Sequence, residues 1–206
     1  MVPLFMESGC SIRQQYQVVL GTLLLGLGQG LGQAEGLLEL EPKPVLEAQL
    51  TESENGLLLV GGKPYTGEVV NFHPNKKKSE SYSLKEGRLH GPFVTYREDG
   101  SRAFQVTFAD GVEHGPFKRW FEDGTIWVVE HFRIGKLDGV SLTYFSNGQL
   151  QVQSIYRAGK KEGLEIGWYE TGQQRWEAIY ENGKLKNKLS WKRDGKPFGN
   201  KAPTIL

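Results

Sequence analysis

The sequence is poor in the residues that build disulfide frameworks or thiol sites, with one cysteine, Cys10, among 206 residues. One thiol cannot form an intramolecular disulfide, so a disulfide-stapled scaffold is excluded. The sequence also has no large excess of charge of one sign. Twenty-five basic residues face twenty-four acidic ones, and the net charge of +1 gives no reason to expect a nucleic acid as partner.

A long hydrophobic run is the third absence, because the most apolar stretch covers only residues 18–27 and contains glycine. This run is too short to span a bilayer comfortably. It follows Arg13 and precedes Gly32-Gln33-Ala34, which has small residues where a signal peptidase would cut. We therefore predict a signal peptide over 1–34 and an exported protein, periplasmic or extracellular, of bacterial type. An uncleaved membrane anchor is the alternative.

Glycine is abundant instead, with 27 copies, and its spacing is regular. Windows 87–110, 111–134, 135–158 and 159–182 each begin with glycine, so the period is 24 residues. A fixed period of this size indicates a repeat architecture. Two further glycines recur in every window, and we interpret them as structural turn residues: Gly91, Gly115, Gly139 and Gly163, then Gly100, Gly124, Gly148 and Gly172.

Each window has the pattern of one antiparallel hairpin. In Pro92–Phe108 two β-prone runs flank Asp99-Gly100, and Asp-Gly favours a type I′ turn. Thr171-Gly172 does not fit, because a β-branched residue resists positive φ, so we expect a different turn there. The fold class is thus all-β, an extended meander of tandem 24-residue hairpins in a single-layer sheet.

Strand alternation predicts rows of aromatic side chains across the repeats. One row runs along the first strands of the hairpins, and another, including Phe108 and Phe132, along the second strands. With more polar residues opposite them, these rows indicate a one-sided sheet. The first row ends each first strand: Tyr96, Trp120, Tyr144 and Trp168.

Composition divides the remaining chain. Residues 35–54 are polar with scattered leucine, typical of a linker or an N-terminal cap, and 55–198 form the repeat array. The unit after residue 183 is degenerate, and we predict that the tail 199–206 is frayed.

The repeated motif G-x-[LV]-H-G-P-F-x-x-[YW]-x-x-[DN]-G resembles the variant MORN repeat over Asn55–Lys196. Gly61–Val70 resembles the opening of such arrays, which in bacteria occur in YwqK-family antitoxins. The resemblance implies protein contacts, lipid contacts or scaffolding, and it implies no catalytic residue.

The sequence does not fit three kinds of chemistry. His90, His114, Asp138 and Glu162 share one position in successive repeats, but equivalent positions lie about 9–10 Å apart, too far to share a metal ion. Ser141 and Ser154 have His131 as their nearest candidate base, without a nucleophile-type turn. No glycine-rich segment leads into a helix, so no phosphate site is expected. We predict a non-enzyme without metal or cofactor.

The aromatic row Tyr96, Trp120, Tyr144 and Trp168 is the candidate binding site, because a single-layer sheet cannot bury both faces. Packing core is the alternative interpretation of the same residues. The first functional hypothesis is an exported interaction module or scaffold for a protein partner of unknown identity. The alternatives are a module for cell-wall glycan or lipid headgroups, and an antitoxin-like protein that neutralises its partner.

Overall fold

The computed structural model describes residues 43–198, which lie almost entirely in strands and turns. A single turn of 3-10 helix, Glu47–Gln49, lies near the start. The predicted signal peptide 1–34, residues 35–42 and the tail 199–206 lie outside the described residues. Within residues 43–198, no helix is long and apolar enough to cross a membrane.

The strands in chain order are β1 (Val45–Leu46), β2 (Thr51–Glu52), β3 (Leu58–Val60), β4 (Lys63–Pro64), β5 (Gly67–Phe72), β6 (Lys78–Lys85), β7 (Arg88–Tyr96), β8 (Arg102–Ala109), β9 (Val112–Trp120), β10 (Ile126–Arg133), β11 (Lys136–Leu137), β12 (Gly139–Tyr144), β13 (Leu150–Arg157), β14 (Lys160–Lys161), β15 (Gly163–Trp168), β16 (Gln174–Glu181) and β17 (Lys184–Ser190).

The main sheet is a meander. From β5 to β17 each long strand pairs antiparallel with the next one in the chain, while the short β11 and β14 extend the pairing of β10 and β13. At the N-terminal end β1 pairs parallel with β5, with Val45 opposite Val69. The predicted all-β meander of tandem hairpins is confirmed.

The hydrophobic core lies at the N-terminal end of the sheet. Strands β2, β3 and β4 form a second, three-stranded sheet. Leu50, Leu58 and Val60 pack with one face of the first strands, which includes Tyr82 and Phe93. The segment before the repeats therefore supplies a short second sheet that covers part of this face, which is opposite to the face of Tyr96.

Two kinds of turn alternate along the sheet. The connections between hairpins are two-residue type I′ turns, because both central residues have positive φ and the flanking residues, such as Ala109 and Val112, pair directly. The turn glycine also donates its N–H to the preceding repeat, as Gly111 does to the Leu89 carbonyl. These turns are Glu86-Gly87, Asp110-Gly111, Ile134-Gly135, Ala158-Gly159 and Asn182-Gly183.

The turns inside the hairpins are not the type I′ turns that Asp-Gly predicts. Only Gly100 has positive φ, its N–H bonds the Arg97 carbonyl at 2.8 Å, and the Arg97 N–H bonds the Ser101 carbonyl at 2.8 Å. This is a three-residue loop, a type I turn closed by a left-handed glycine. Thr171 needs no positive φ in such a loop, so Thr171-Gly172 has the same geometry as the others.

The strand register places the two predicted aromatic rows on opposite faces. Val94 pairs with Gln105 and Phe93 with Val106, so the side chains of Phe93, Val106 and Phe108 share one face. We call this the core face, and the face of Val94 and Gln105 the outer face. The prediction of a one-sided sheet is wrong, because a bulge between Thr95 and Tyr96 adds one residue to the second strand.

Candidate functional site

The predicted aromatic row lies on the outer face. Tyr96 pairs with Arg102, and Trp120, Tyr144 and Trp168 follow the same pairing in the next three hairpins. All four side chains are half-buried, so each keeps part of its ring in contact with water in the free chain. This placement is compatible with a contact surface.

The backbone at this row is held by the preceding repeat. The His73 Nε2 lies 2.8 Å from the Tyr96 carbonyl oxygen, and the Arg97 Nη2 donates to the Trp120 carbonyl at 2.6 Å. Tyr169 supplies the same kind of bond further along, because its hydroxyl donates to the Trp191 carbonyl at 2.9 Å. Bonds between hairpins therefore hold the backbone at Tyr96 and Trp120.

A second row on the outer face was missed by sequence reasoning. Val140 pairs directly with Ile155, and Leu164 pairs directly with Ile179. These four aliphatic side chains are between 38% and 48% exposed, which is a large fraction for side chains of this type. The N-terminal repeats have Pro92 and other residues here, so the row is confined to the C-terminal half.

Half-buried side chains fill the space between the two rows. Leu142 pairs with Gln153, Gln153 with Ile166, and Ile166 with Glu177. The Gln174 amide donates to Glu177 Oε2 at 3.1 Å. The result is a continuous, sparsely charged area that we call the C-terminal apolar surface: Val140, Leu142, Tyr144, Ile155, Leu164, Ile166, Trp168 and Ile179.

The repeat position that holds His90, His114, Asp138 and Glu162 has a structural role. Glu162 Oε2 accepts the N–H of Asn182 at 2.8 Å, and Asp138 Oδ2 accepts that of Ala158 at 3.0 Å. Each acceptor therefore binds the first residue of the left-handed turn that ends its own repeat. The Ala158 N–H bond, with help from Arg133, holds the pKa of Asp138 below its usual value. Among residues 43–198 no three potential ligand side chains come together around a metal position.

The two candidate nucleophiles lie on the core face. The Ser141 hydroxyl donates to Glu130 Oε1 at 3.0 Å, and Ser154 bonds Glu165, which also pairs with Lys161. His131 pairs with Pro116 and projects from the outer face, so it cannot act as a base for either serine. Burial raises the pKa of Glu130. These buried polar groups satisfy one another instead of forming a nucleophile–base pair.

Comparison with known families gives two matches within the array. Residues 137–158 and 175–193 match the family model described as MORN repeat variant. A comparison with curated proteins finds no match to the chain. Repeats of this family are commonly binding modules for proteins or lipids and are generally non-catalytic. The two matches, together with the hairpin meander in which they lie, support a MORN-repeat protein.

Proposed function

We propose that the chain is a non-enzymatic binding module that holds a partner protein against its C-terminal apolar surface. The observation that carries the proposal is the exposed aliphatic row Val140–Ile155–Leu164–Ile179, flanked on the same face by Tyr144 and Trp168. Contiguous apolar patches on a soluble protein mark interaction sites, because exposing them to water is unfavourable.

The composition of this surface also favours a protein partner. Interface centres are depleted of charge and enriched in tryptophan and tyrosine. Lys118 and Glu177 are the charged residues of the central row that runs across the outer face from Val94 to Leu189. A sheet whose hairpins are hydrogen-bonded to one another loses little conformational entropy when a partner docks, which favours binding.

Export and partner neutralisation are finer parts of this proposal. The apolar run at residues 18–27 supports export, and the resemblance to YwqK-family antitoxins supports a neutralising role. Both are compatible with the same binding surface, because neither requires a catalytic group.

Site-specific photo-crosslinking tests the proposal. A benzophenone side chain is placed at Leu164 on the surface, and in a second variant at Leu185, which is 51% exposed but pairs with Tyr180 on the core face. We expect Leu164 to crosslink one defined protein in native cells, whereas Leu185 should not. Equal crosslinking from both positions, or none from Leu164, contradicts the proposal.

An anionic lipid surface is the second candidate, favoured by a row of lysines beside the apolar surface. Lys136, Lys160 and Lys184 occupy equivalent positions after successive turn glycines, and Lys136 packs beside Gly159 as Lys160 does beside Gly183. Lysines of this kind attract anionic headgroups. Sedimentation with vesicles that contain or lack phosphatidylserine distinguishes the candidates, since only lipid binding makes pelleting depend on the anionic lipid.

A further inference from the structure

A pocket of about 610 Å³ lies between the loops of two successive hairpins, at the strand ends opposite to the type I′ turns. It is a depression that is wide open to solvent and not an enclosed cavity. Its walls combine apolar, basic and acidic groups: Ala103, Phe104, Phe121, Trp127, Arg97 and Arg119, with Glu122 and Asp123 beside them.

The pocket exists because two neighbouring repeats differ at a bulge. Thr95 pairs with Phe104 and Tyr96 with Arg102, so Ala103 is the extra residue of its hairpin. Trp127 is the extra residue of the next hairpin, between Ile126 and Val128. The small side chain of Ala103 therefore leaves a gap at the position where the following repeat has the indole of Trp127. The Trp127 indole forms one wall of that gap.

Arginine and aromatic rings are layered in this wall. The Trp127 ring stacks on Phe121 with centroids 5.5 Å apart and an angle of 27° between the planes. The Arg119 guanidinium lies 4.8 Å from the centroid of the Trp127 ring. Stacking on tryptophan holds the guanidinium in place while leaving its N–H groups along the edge for a ligand.

The guanidinium groups of Arg97 and Arg119 differ in their hydrogen bonding. Arg97 is fixed by backbone, since it donates to the Trp120 carbonyl at 2.6 Å and to the Arg102 carbonyl at 2.5 Å. Arg119 makes no such bond in the described part of the chain. Within that part neither arginine forms an ion pair with a carboxylate. The pocket therefore presents two guanidinium groups and the carboxylates of Glu122 and Asp123 beside an apolar wall, and Arg119 has free donors.

We propose that this pocket binds the C-terminal residue of a partner polypeptide whose last side chain is large and apolar. The terminal carboxylate pairs with Arg119, because a guanidinium fork matches carboxylate geometry. The last side chain fills the gap between Ala103 and Trp127. A basic residue upstream in the ligand faces Glu122 and Asp123, whose side chains are exposed. The pocket is open to solvent, so an extended chain end can enter it.

The test uses the full chain and synthetic peptides. The probe is Gly-Lys-Gly-Ser-Gly-Phe with a free carboxylate, compared with its C-terminal amide and with the peptide ending in glycine. Binding is followed by the indole N–H signal of Trp127 in NMR spectra, assigned by its absence in Trp127→Phe. We expect saturable shifts with the free acid, and binding at least about tenfold weaker for the amide.

Variants locate the contact. Arg119→Gln should weaken the free acid to the level of the amide, and Ala103→Leu, which fills the gap, should abolish binding while the circular dichroism spectrum is kept. Arg175→Gln is the matched control, because its guanidinium stacks over Tyr169 at the equivalent bulge two repeats on. The proposal is overturned if the acid and the amide bind equally, if Arg119→Gln leaves binding unchanged, or if no peptide shifts the Trp127 signal.

Discussion

Ile134 occupies the least suitable position for its residue type in the described array. It is the first residue of a type I′ turn, with φ of 52°, and it is 73% exposed. A β-branched side chain in the left-handed region crowds its own backbone. The equivalent residues are Glu86, Asp110, Ala158 and Asn182, none of which is β-branched. Replacing Ile134 with asparagine should therefore stabilise the fold.

The magnitude follows from the conformation. A left-handed residue other than glycine costs roughly 1–2 kcal/mol, and asparagine is among those that tolerate the region best. Because Ile134 buries little of its side chain, the change to Asn loses little packing. We expect a gain of about 1 kcal/mol in the free energy of unfolding, or about 2–4 °C in melting temperature for a domain of this size.

Urea denaturation of the two proteins, monitored by circular dichroism, measures the difference. The matched control is Asn182→Ile, which places the unsuitable residue in an equivalent turn and should cost a similar amount. If Ile134→Asn lowers the urea midpoint, or if Asn182→Ile is neutral, the turns are not strained in the way that their φ angles indicate, and the reasoning is refuted.

Three further predictions concern the glycines, pH and the outer face. Gly148→Val should lower the free energy of unfolding by at least about 1 kcal/mol, because Gly148 has a φ of 81°. Gly167→Ala should also destabilise the fold, because the new Cβ would lie 2.3 Å from the indole of Trp176 on the paired strand. Denaturant midpoints test both variants. Burial raises the pKa of Glu130, so stability should fall as pH rises through that folded-state pKa, and Glu130→Gln should flatten this part of the pH–stability curve measured by melting. Trp168→Ala should weaken partner binding and lower the free energy of unfolding by less than the roughly 3–5 kcal/mol that is typical of a fully buried tryptophan. Phe132→Ala, on the core face, should leave binding unchanged. If Trp168→Ala unfolds the protein, the aromatic row belongs to the packing core and is not a binding site.

The repeat and the hairpins are predictable because positive φ demands glycine at fixed intervals, and the sequence displays those intervals directly. Turn type was not predictable in the same way. Asp-Gly suits a two-residue type I′ turn, but it also suits the end of a three-residue loop, and only the pairing of Arg97 with Ser101 decides between them.

The prediction that both aromatic rows lie on one face of the sheet failed for a related reason. One bulged residue, such as Ala103, moves every later side chain of its strand to the other face, and no residue type marks that bulge. The exposed aliphatic row was missed because half of it lies on β13 and β16, which carry apolar residues on both faces, so alternation alone does not assign Ile155 and Ile179 to the outer face. The pairing of Val140 with Ile155 makes the row visible.

If the chain functions as proposed, its C-terminal apolar surface is open in the free protein and covered by a partner in the cell. Hydroxyl-radical footprinting tests it most directly, by comparing oxidation of Val140, Leu164 and Ile179 in purified protein and in native extract, with Leu185 as the exposed reference. We expect strong labelling of all four residues in the purified protein and protection of Val140, Leu164 and Ile179 in the extract. Labelling that is unchanged between the two samples would contradict it.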